Sequence, residues 1–327
     1  MDKTFLDKIK TLALLSSFII VALNTCQGIE PVNEIDNILN NFLWDFVDNF
    51  AFIAYGFLYT MTGALLFNRK NISIKTKLLN IIKYLLTPYL VWQIIISASK
   101  VLVLRQSFES LNFFKTVFLL VPFAPDGPLY HIYLAAIISL ICLIIYPLLT
   151  DKIYNKTFII LLSLIGLISL STIEPIKELA RTNLLPALFT YLPAYLLGCL
   201  YGQNTNKKDI SIIAILLLGS LALEGFTKGI FKTVTFMSIP YLLLITADKI
   251  NHTRKITRFA FLIYAIHPVF IAIVCPLIQS LIISAFLANI VSIIIVTLLS
   301  LISSWIVYQL IKRTLPFLLP YITCIKD

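Results

Sequence analysis

The stretch Phe261-Leu262-Ile263-Tyr264-Ala265-Ile266-His267-Pro268 sits inside an apolar run, 258–279, that is long enough to cross a bilayer. A hydrocarbon core takes about 20 mainly apolar residues per helix, so the run reads as a transmembrane segment. Its histidine, one of three in the chain, is then an ionisable side chain at membrane depth. Such residues are costly there and point to functional sites. Pro268 withholds a backbone donor and frees a carbonyl one turn earlier, which predicts a kink at His267 and room for a polar cavity. The competing reading is a histidine hydrogen-bonded to a neighbouring helix for packing alone.

The rest of the chain has the same character. With 59% hydrophobic and 13% charged residues and a mean hydropathy of +0.93, it has too little polar surface to clothe a soluble globule of 327 residues. Ten runs are apolar and long enough to span: 10–28, 48–67, 79–103, 129–149, 157–173, 185–202, 210–226, 231–247, 258–279 and 287–311. The fold class expected is therefore all-α, a polytopic bundle of about ten helices forming one transmembrane domain over 1–327. The longest connections run to about 25 residues, below ordinary domain size, so the chemistry belongs within or at the faces of the bundle. The first run lacks a small-residue cleavage site and is expected to remain in the protein.

Charge sets the expected orientation. The segment 28–49 carries Glu30, Glu34, Asp36, Asp45 and Asp48 with no Lys or Arg, whereas the next connection carries Arg69, Lys70, Lys75 and Lys77. The first is expected outside and the second inside, and the basic turns at Lys152, Lys207, Lys249–Arg258 and the tail from Lys312 follow in alternation. Both termini then lie in the cytoplasm. The net charge of +10 is spread over the ends of these runs and forms no single patch, so a nucleic-acid partner is not expected.

Few residues could carry chemistry. His131, in Gly127-Pro128-Leu129-Tyr130-His131-Ile132-Tyr133, is either a functional residue or a member of an aromatic belt. His252 reads as a solvated loop residue. Lys10, Lys83 and Glu224 are the other charges near lipid depth, and lysines at helix ends commonly snorkel to the interface. Cys26, Cys142, Cys199, Cys275 and Cys324 show no paired spacing, so neither a metal centre nor a disulfide is expected. There is no P-loop, dinucleotide fingerprint or nucleophile elbow. No internal repeat supports an inverted-repeat transporter.

Five segments, taken in order, resemble the acyltransferase-3 family of polytopic enzymes, which move acyl groups onto sugars of surface polysaccharides. They are Phe50–Gly63, Leu85-Leu86-Thr87-Pro88-Tyr89-Leu90-Val91-Trp92, His131-Ile132-Tyr133 with Tyr146-Pro147, Tyr191–Gly198, and Ile263–Pro268. The resemblance covers nearly the whole chain. It implies an O-acyltransferase of the inner membrane, taking acetyl from acetyl-CoA and acting on a hydroxyl of a cell-envelope saccharide or its lipid-linked precursor. It further implies His267 and His131 as candidate catalytic residues and Lys10 as a candidate cation for the donor's phosphates; Lys83, another charge near lipid depth, is a second candidate for binding the donor.

Two departures from the family pattern stand out. The family carries a basic residue early in span one and a histidine about three turns later. Lys10 can stand for the cation, but the nearest polar residues beyond it are Ser16, Ser17 and Asn24, and an amide cannot act as a general base. The basic residue of the second-span motif is also missing, with Phe52 in its approximate place. A relative that has kept the bundle and lost the reaction is the second reading, and a polysaccharide or solute transporter the third. The sequence leaves the acceptor sugar and the oligomeric state open.

Overall fold

A computed structural model describes residues 3–26, 31, 33–67, 73–104, 129–144, 191–192, 194–199, 239–240, 243 and 259–319. The expected spans 157–173 and 210–226 lie outside these residues, with most of 185–202 and 231–247, as do Glu224, His252 and Cys324. The described residues form helices and no strands: α1 (Lys3–Cys26), α2 (Glu34–Phe67), α3 (Ile74–Ile81), a π-helical turn (Ile82–Leu86), α4 (Thr87–Leu104), α5 (Tyr130–Ile144), α6 (Ala260–Leu281) and α7 (Ala285–Thr314). Among them, five stretches are long and apolar enough to cross a membrane: Ile9–Cys26, Glu34–Leu66, Ile74–Ile96, Ala260–Leu281 and Ala285–Thr314. The protein is a helical, multi-pass membrane protein.

Local chemistry sets the helix boundaries. Asn33 Oδ1 accepts from the Asp36 amide at 2.8 Å, capping α2 at Glu34, well ahead of the expected start of the second span at Asp48. Residues 34–49, expected within an aqueous connection, are thus helical. Ser73 caps α3 by accepting from Thr76 N. The π turn falls just before Pro88, where a wider turn relieves the clash that proline makes with the preceding carbonyls. Lys77, expected in an inside connection, is instead buried on α3. Lys83 is not at a helix end either, since it lies about 14 Å along the helical stretch that starts at Ile74.

The chain divides into two compact units. The first comprises Met1–Ile9, Tyr55–Leu86 and Pro122–His252. Here Ile81 on α3 packs with Ala136 and Leu143 on α5, beneath Leu66, Leu85, Leu86 and Leu140. The end of α2 meets helical residues 194–199 backbone to backbone. A Cβ on Gly63 would strike the Tyr195 carbonyl oxygen and come within 3.1 Å of Cys199 N, and one on Gly198 would strike the Thr60 carbonyl. The two glycines stand at the closest approach of these helices. Tyr195 Oη donates to Ser139 Oγ at 2.8 Å, tying the same residues to α5.

The second unit comprises Lys10–Ala54, Thr87–Val121 and Thr253–Asp327. Ser17 Oγ donates to the Ala260 carbonyl at 2.8 Å, and Asn24 meets His267 at 2.9 Å. Both pairs are separated by 243 residues in sequence, so α1 and α6 run in the same direction over about two turns. The start of α2 likewise runs parallel to α7. Asp36 Oδ1 accepts from Ser284 Oγ at 2.6 Å and Phe286 N at 3.0 Å, and Oδ2 accepts from Ala285 N at 2.7 Å. One turn further along both helices, Asn289 Nδ2 donates to Asn40 Oδ1 at 2.6 Å. A buried carboxylate thereby caps a helix N-terminus, where its charge meets the positive end of the helix dipole. Helices α6 and α7 form an antiparallel hairpin through Ile282–Ser284, and Phe259 stands edge-on to Tyr308 at its far end. Small buried residues, Ala288, Ser292, Ser300 and Ser304, line one side of α7 at four-residue multiples, a spacing that lets helix backbones approach closely.

Candidate active site

In the first unit, helix α5 opens with Tyr130 and His131, and a ring of tyrosines surrounds the half-buried imidazole. Tyr55 stacks on it with ring centroids 3.7 Å apart. Tyr191 and Tyr130 present their rings nearly perpendicular to it, at 5.2 Å and 5.1 Å. Tyr59, fully buried, places its hydroxyl 2.9 Å from His131 Nδ1 and stacks on Tyr191 at 4.4 Å. Tyr55 and Tyr59 are one helical turn apart on α2, so they share a face. Nδ1 is held, and Nε2 has no hydrogen-bond partner among the described residues.

His267, in the second unit, is in a different state. It is fully buried on α6. Its Nδ1 lies 2.6 Å from the Tyr264 carbonyl, which can only accept, so Nδ1 carries the proton. Nε2 then offers a lone pair, which takes a hydrogen bond from Asn24 Nδ2 at 2.9 Å. The Tyr264 carbonyl is free for this because Pro268, four residues on, has no N–H to give it. Yet α6 runs unbroken as an α-helix with both Pro268 and Pro276 inside it. The expected link between proline and histidine holds through the freed carbonyl and without a break in the helix.

The four candidate residues are divided between the two units. His131 and Lys83 belong to the first unit, Lys10 and His267 to the second. Lys83 is half-buried in the π turn with its Nζ 5.4 Å from the centre of the Tyr84 ring, a cation–π contact. Lys10 is half-buried on α1. Among the described residues no group of three or more His, Cys, Asp or Glu could hold a metal ion. Cys26, Cys142, Cys199 and Cys275 are free and buried.

The sequence reading did not assign Tyr55, Tyr59 or Tyr191 to His131, nor Asn24 to His267. The signal was present for the first set. Tyr55 and Tyr59 are spaced i, i+4 within one of the segments singled out, and Tyr191 opens another. Three of those five segments therefore converge on His131.

No curated protein and no solved structure matches the chain. Residues 6–309 match the family described as an acyltransferase domain, which covers nearly the whole chain. With the helical membrane architecture, that match identifies the protein as a member of the acyltransferase-3 family.

Proposed function

We propose that the protein is an O-acyltransferase of the inner membrane that transfers acetyl from acetyl-CoA to a hydroxyl of a cell-envelope polysaccharide or its lipid-linked precursor, with His131 as general base. The observation that supports the proposal is the asymmetry of the His131 ring, with Nδ1 held at 2.9 Å by Tyr59 and Nε2 without a hydrogen-bond partner among the described residues. For Nε2 to accept a proton, Nδ1 must carry one and donate it to Tyr59 Oη, a hydrogen bond that the 2.9 Å contact can supply because a phenol hydroxyl both donates and accepts. The sugar hydroxyl attacks the thioester carbonyl carbon while Nε2 removes its proton. The new C–O bond forms, the C–S bond breaks, and the CoA thiolate leaves and recovers the proton from the imidazolium. Tyr55, stacked at 3.7 Å, offers its π-face to the transient cation. Lys83 and Lys10 are each proposed as a cation for the phosphates of CoA.

We further read 1–327 as one transmembrane domain of ten spans with both termini cytoplasmic. In that arrangement α1 and α6 are spans one and nine, and α2 and α7 are spans two and ten. The parallel direction within each pair supports it, since parallel spans must have an odd number of spans between them. The test is incorporation of labelled acetyl from acetyl-CoA into saccharide in membranes containing the protein. His131→Ala is expected to remove about 100-fold or more of the incorporation at unchanged protein level.

A second reading is favoured by Asn24. The one lone pair of His267 is engaged by an amide that cannot titrate, at the helix where the family resemblance implies a histidine. On that reading the protein is a non-catalytic relative serving envelope assembly. Its overexpression would leave the O-acetyl content of the envelope polysaccharide unchanged.

A further inference from the structure

The first four turns of α2 have three faces. At 100° per residue, Asp36, Asn40 and Val47 point inward, and Asp36 and Val47 are buried. Ile35, Ile38, Leu39, Phe42 and Phe46 occupy a second arc of about 100°, and their side chains are between 42% and 73% exposed. Asn37, Asn41 and Asp45, also exposed, occupy a third arc on the opposite side of the inward face.

The depth of this segment follows from its contacts. Helix α6 has 22 residues, about 33 Å, which matches a hydrocarbon core of about 30 Å. Its end at Leu281 and the start of α7 at Ala285 therefore lie at one boundary of the bilayer. Asp36 is bonded to Ser284, Ala285 and Phe286 and so sits at that boundary. From there α2 runs parallel to α7, into the membrane. Phe42 lies about 9 Å and Phe46 about 15 Å deeper than Asp36. Only acyl chains or another apolar surface can cover large apolar side chains there. The neighbouring turn extends the same surface, with Leu281 and Ile283 more than 70% exposed and no charged residue between Leu281 and Leu287. The carboxylate of Asp36 has three internal donors, which meets the requirement for a polar group at the edge of a low-dielectric phase.

We infer that this part of α2 is a boundary helix at membrane depth: the flank of Ile35, Ile38, Leu39, Phe42 and Phe46 packs against lipid acyl chains, and the flank of Asn37, Asn41 and Asp45 faces water. The segment read from its acidic residues as an aqueous connection is then a lipid contact with one wet side. An exposed carboxylate such as Asp45, about 14 Å from the boundary, is tolerable at this depth only if it lines a hydrated cleft.

The inference is tested with Phe42→Trp and Asn41→Trp in the full-length protein, reconstituted in phosphatidylcholine vesicles with and without brominated acyl chains. The wild-type signal of Trp44, Trp92 and Trp305 is subtracted. Fluorescence added at position 42 is expected to be lost largely to brominated lipid and to resist aqueous iodide, and that added at 41 to show the reverse. Quenching of position 42 by iodide, or by neither agent, would overturn the inference. The first outcome places the flank in water and the second beneath a protein surface such as another copy of the chain. Ile38→Trp repeats the lipid measurement on the same flank should Phe42→Trp fold poorly.

Discussion

The imidazole of His267 donates from Nδ1 to the Tyr264 carbonyl at 2.6 Å, and that carbonyl is the one Pro268 leaves without a helical donor. The tyrosine, histidine and proline of this segment are therefore one device. The proline vacates an acceptor, the histidine fills it, and the other ring nitrogen is turned toward Asn24. Nitrogen-15 NMR of the labelled imidazole is expected to report a protonated Nδ1 and a bare Nε2. In Pro268→Ala the restored N–H competes for the carbonyl, and the population of this tautomer falls. A protonated Nε2 in the wild type would contradict the assignment.

Asn24 and His267 join two parallel helices, so their energetic effects should be coupled. Asn24→Leu and His267→Leu are each expected to lower stability, and the double variant to be less destabilised than the sum. The expected coupling is about 0.6 kcal/mol and not above about 1.7 kcal/mol, the average and the maximum for hydrogen bonds between membrane helices. Unfolding of the purified protein in mixed micelles measures all corners of the cycle. Additive losses would mean that the 2.9 Å contact contributes nothing.

Gly63 and Gly198 allow α2 and residues 194–199 to touch. A methyl group at either position meets backbone, which cannot turn aside as a side chain can. Gly63→Ala and Gly198→Ala should each cost about 1–3 kcal/mol or more. Because this contact positions Tyr59 against Tyr191, acetyl incorporation should fall together with the thermal midpoint.

Asp36 caps a helix that begins about 250 residues later. Asp36→Ala leaves the Ser284 hydroxyl and two α7 amides without their acceptor, at about 1–3 kcal/mol for a buried group. Asp36→Asn keeps one acceptor oxygen and should cost less. Thermal unfolding followed by circular dichroism ranks the two, and equal stability of Asp36→Ala and wild type would refute the cap.

The residues that could be read from sequence were those whose meaning is local. Apolar run length located α1, α6 and α7 to within a few residues at most ends, because the bilayer imposes that length on any chain. The unusual segments were also visible, since a histidine before a proline or two tyrosines a turn apart are facts of spacing. What escaped depended on distant partners. Asp36 looked like a solvated loop charge because its three donors lie at residues 284–286. Lys77 looked like a residue of an inside connection, yet it is buried on α3. Asn24 looked inert because its value lies in the lone pair of His267, 243 residues away. Ranking the two histidines also needed coordinates, since the composition gives no hint that one ring has both nitrogens engaged and the other only one among the described residues.

The proposal rests on the Nε2 of His131, which has no hydrogen-bond partner among the described residues, and on the tyrosine that orients its ring. The most direct test is the acetyl incorporation rate of membranes containing wild type, His131→Ala and Tyr59→Phe at matched protein level. The account predicts loss of about 100-fold or more for His131→Ala and a smaller loss for Tyr59→Phe, which keeps the aromatic stack and removes only the 2.9 Å hydrogen bond. Incorporation by His131→Ala at the wild-type rate would contradict it.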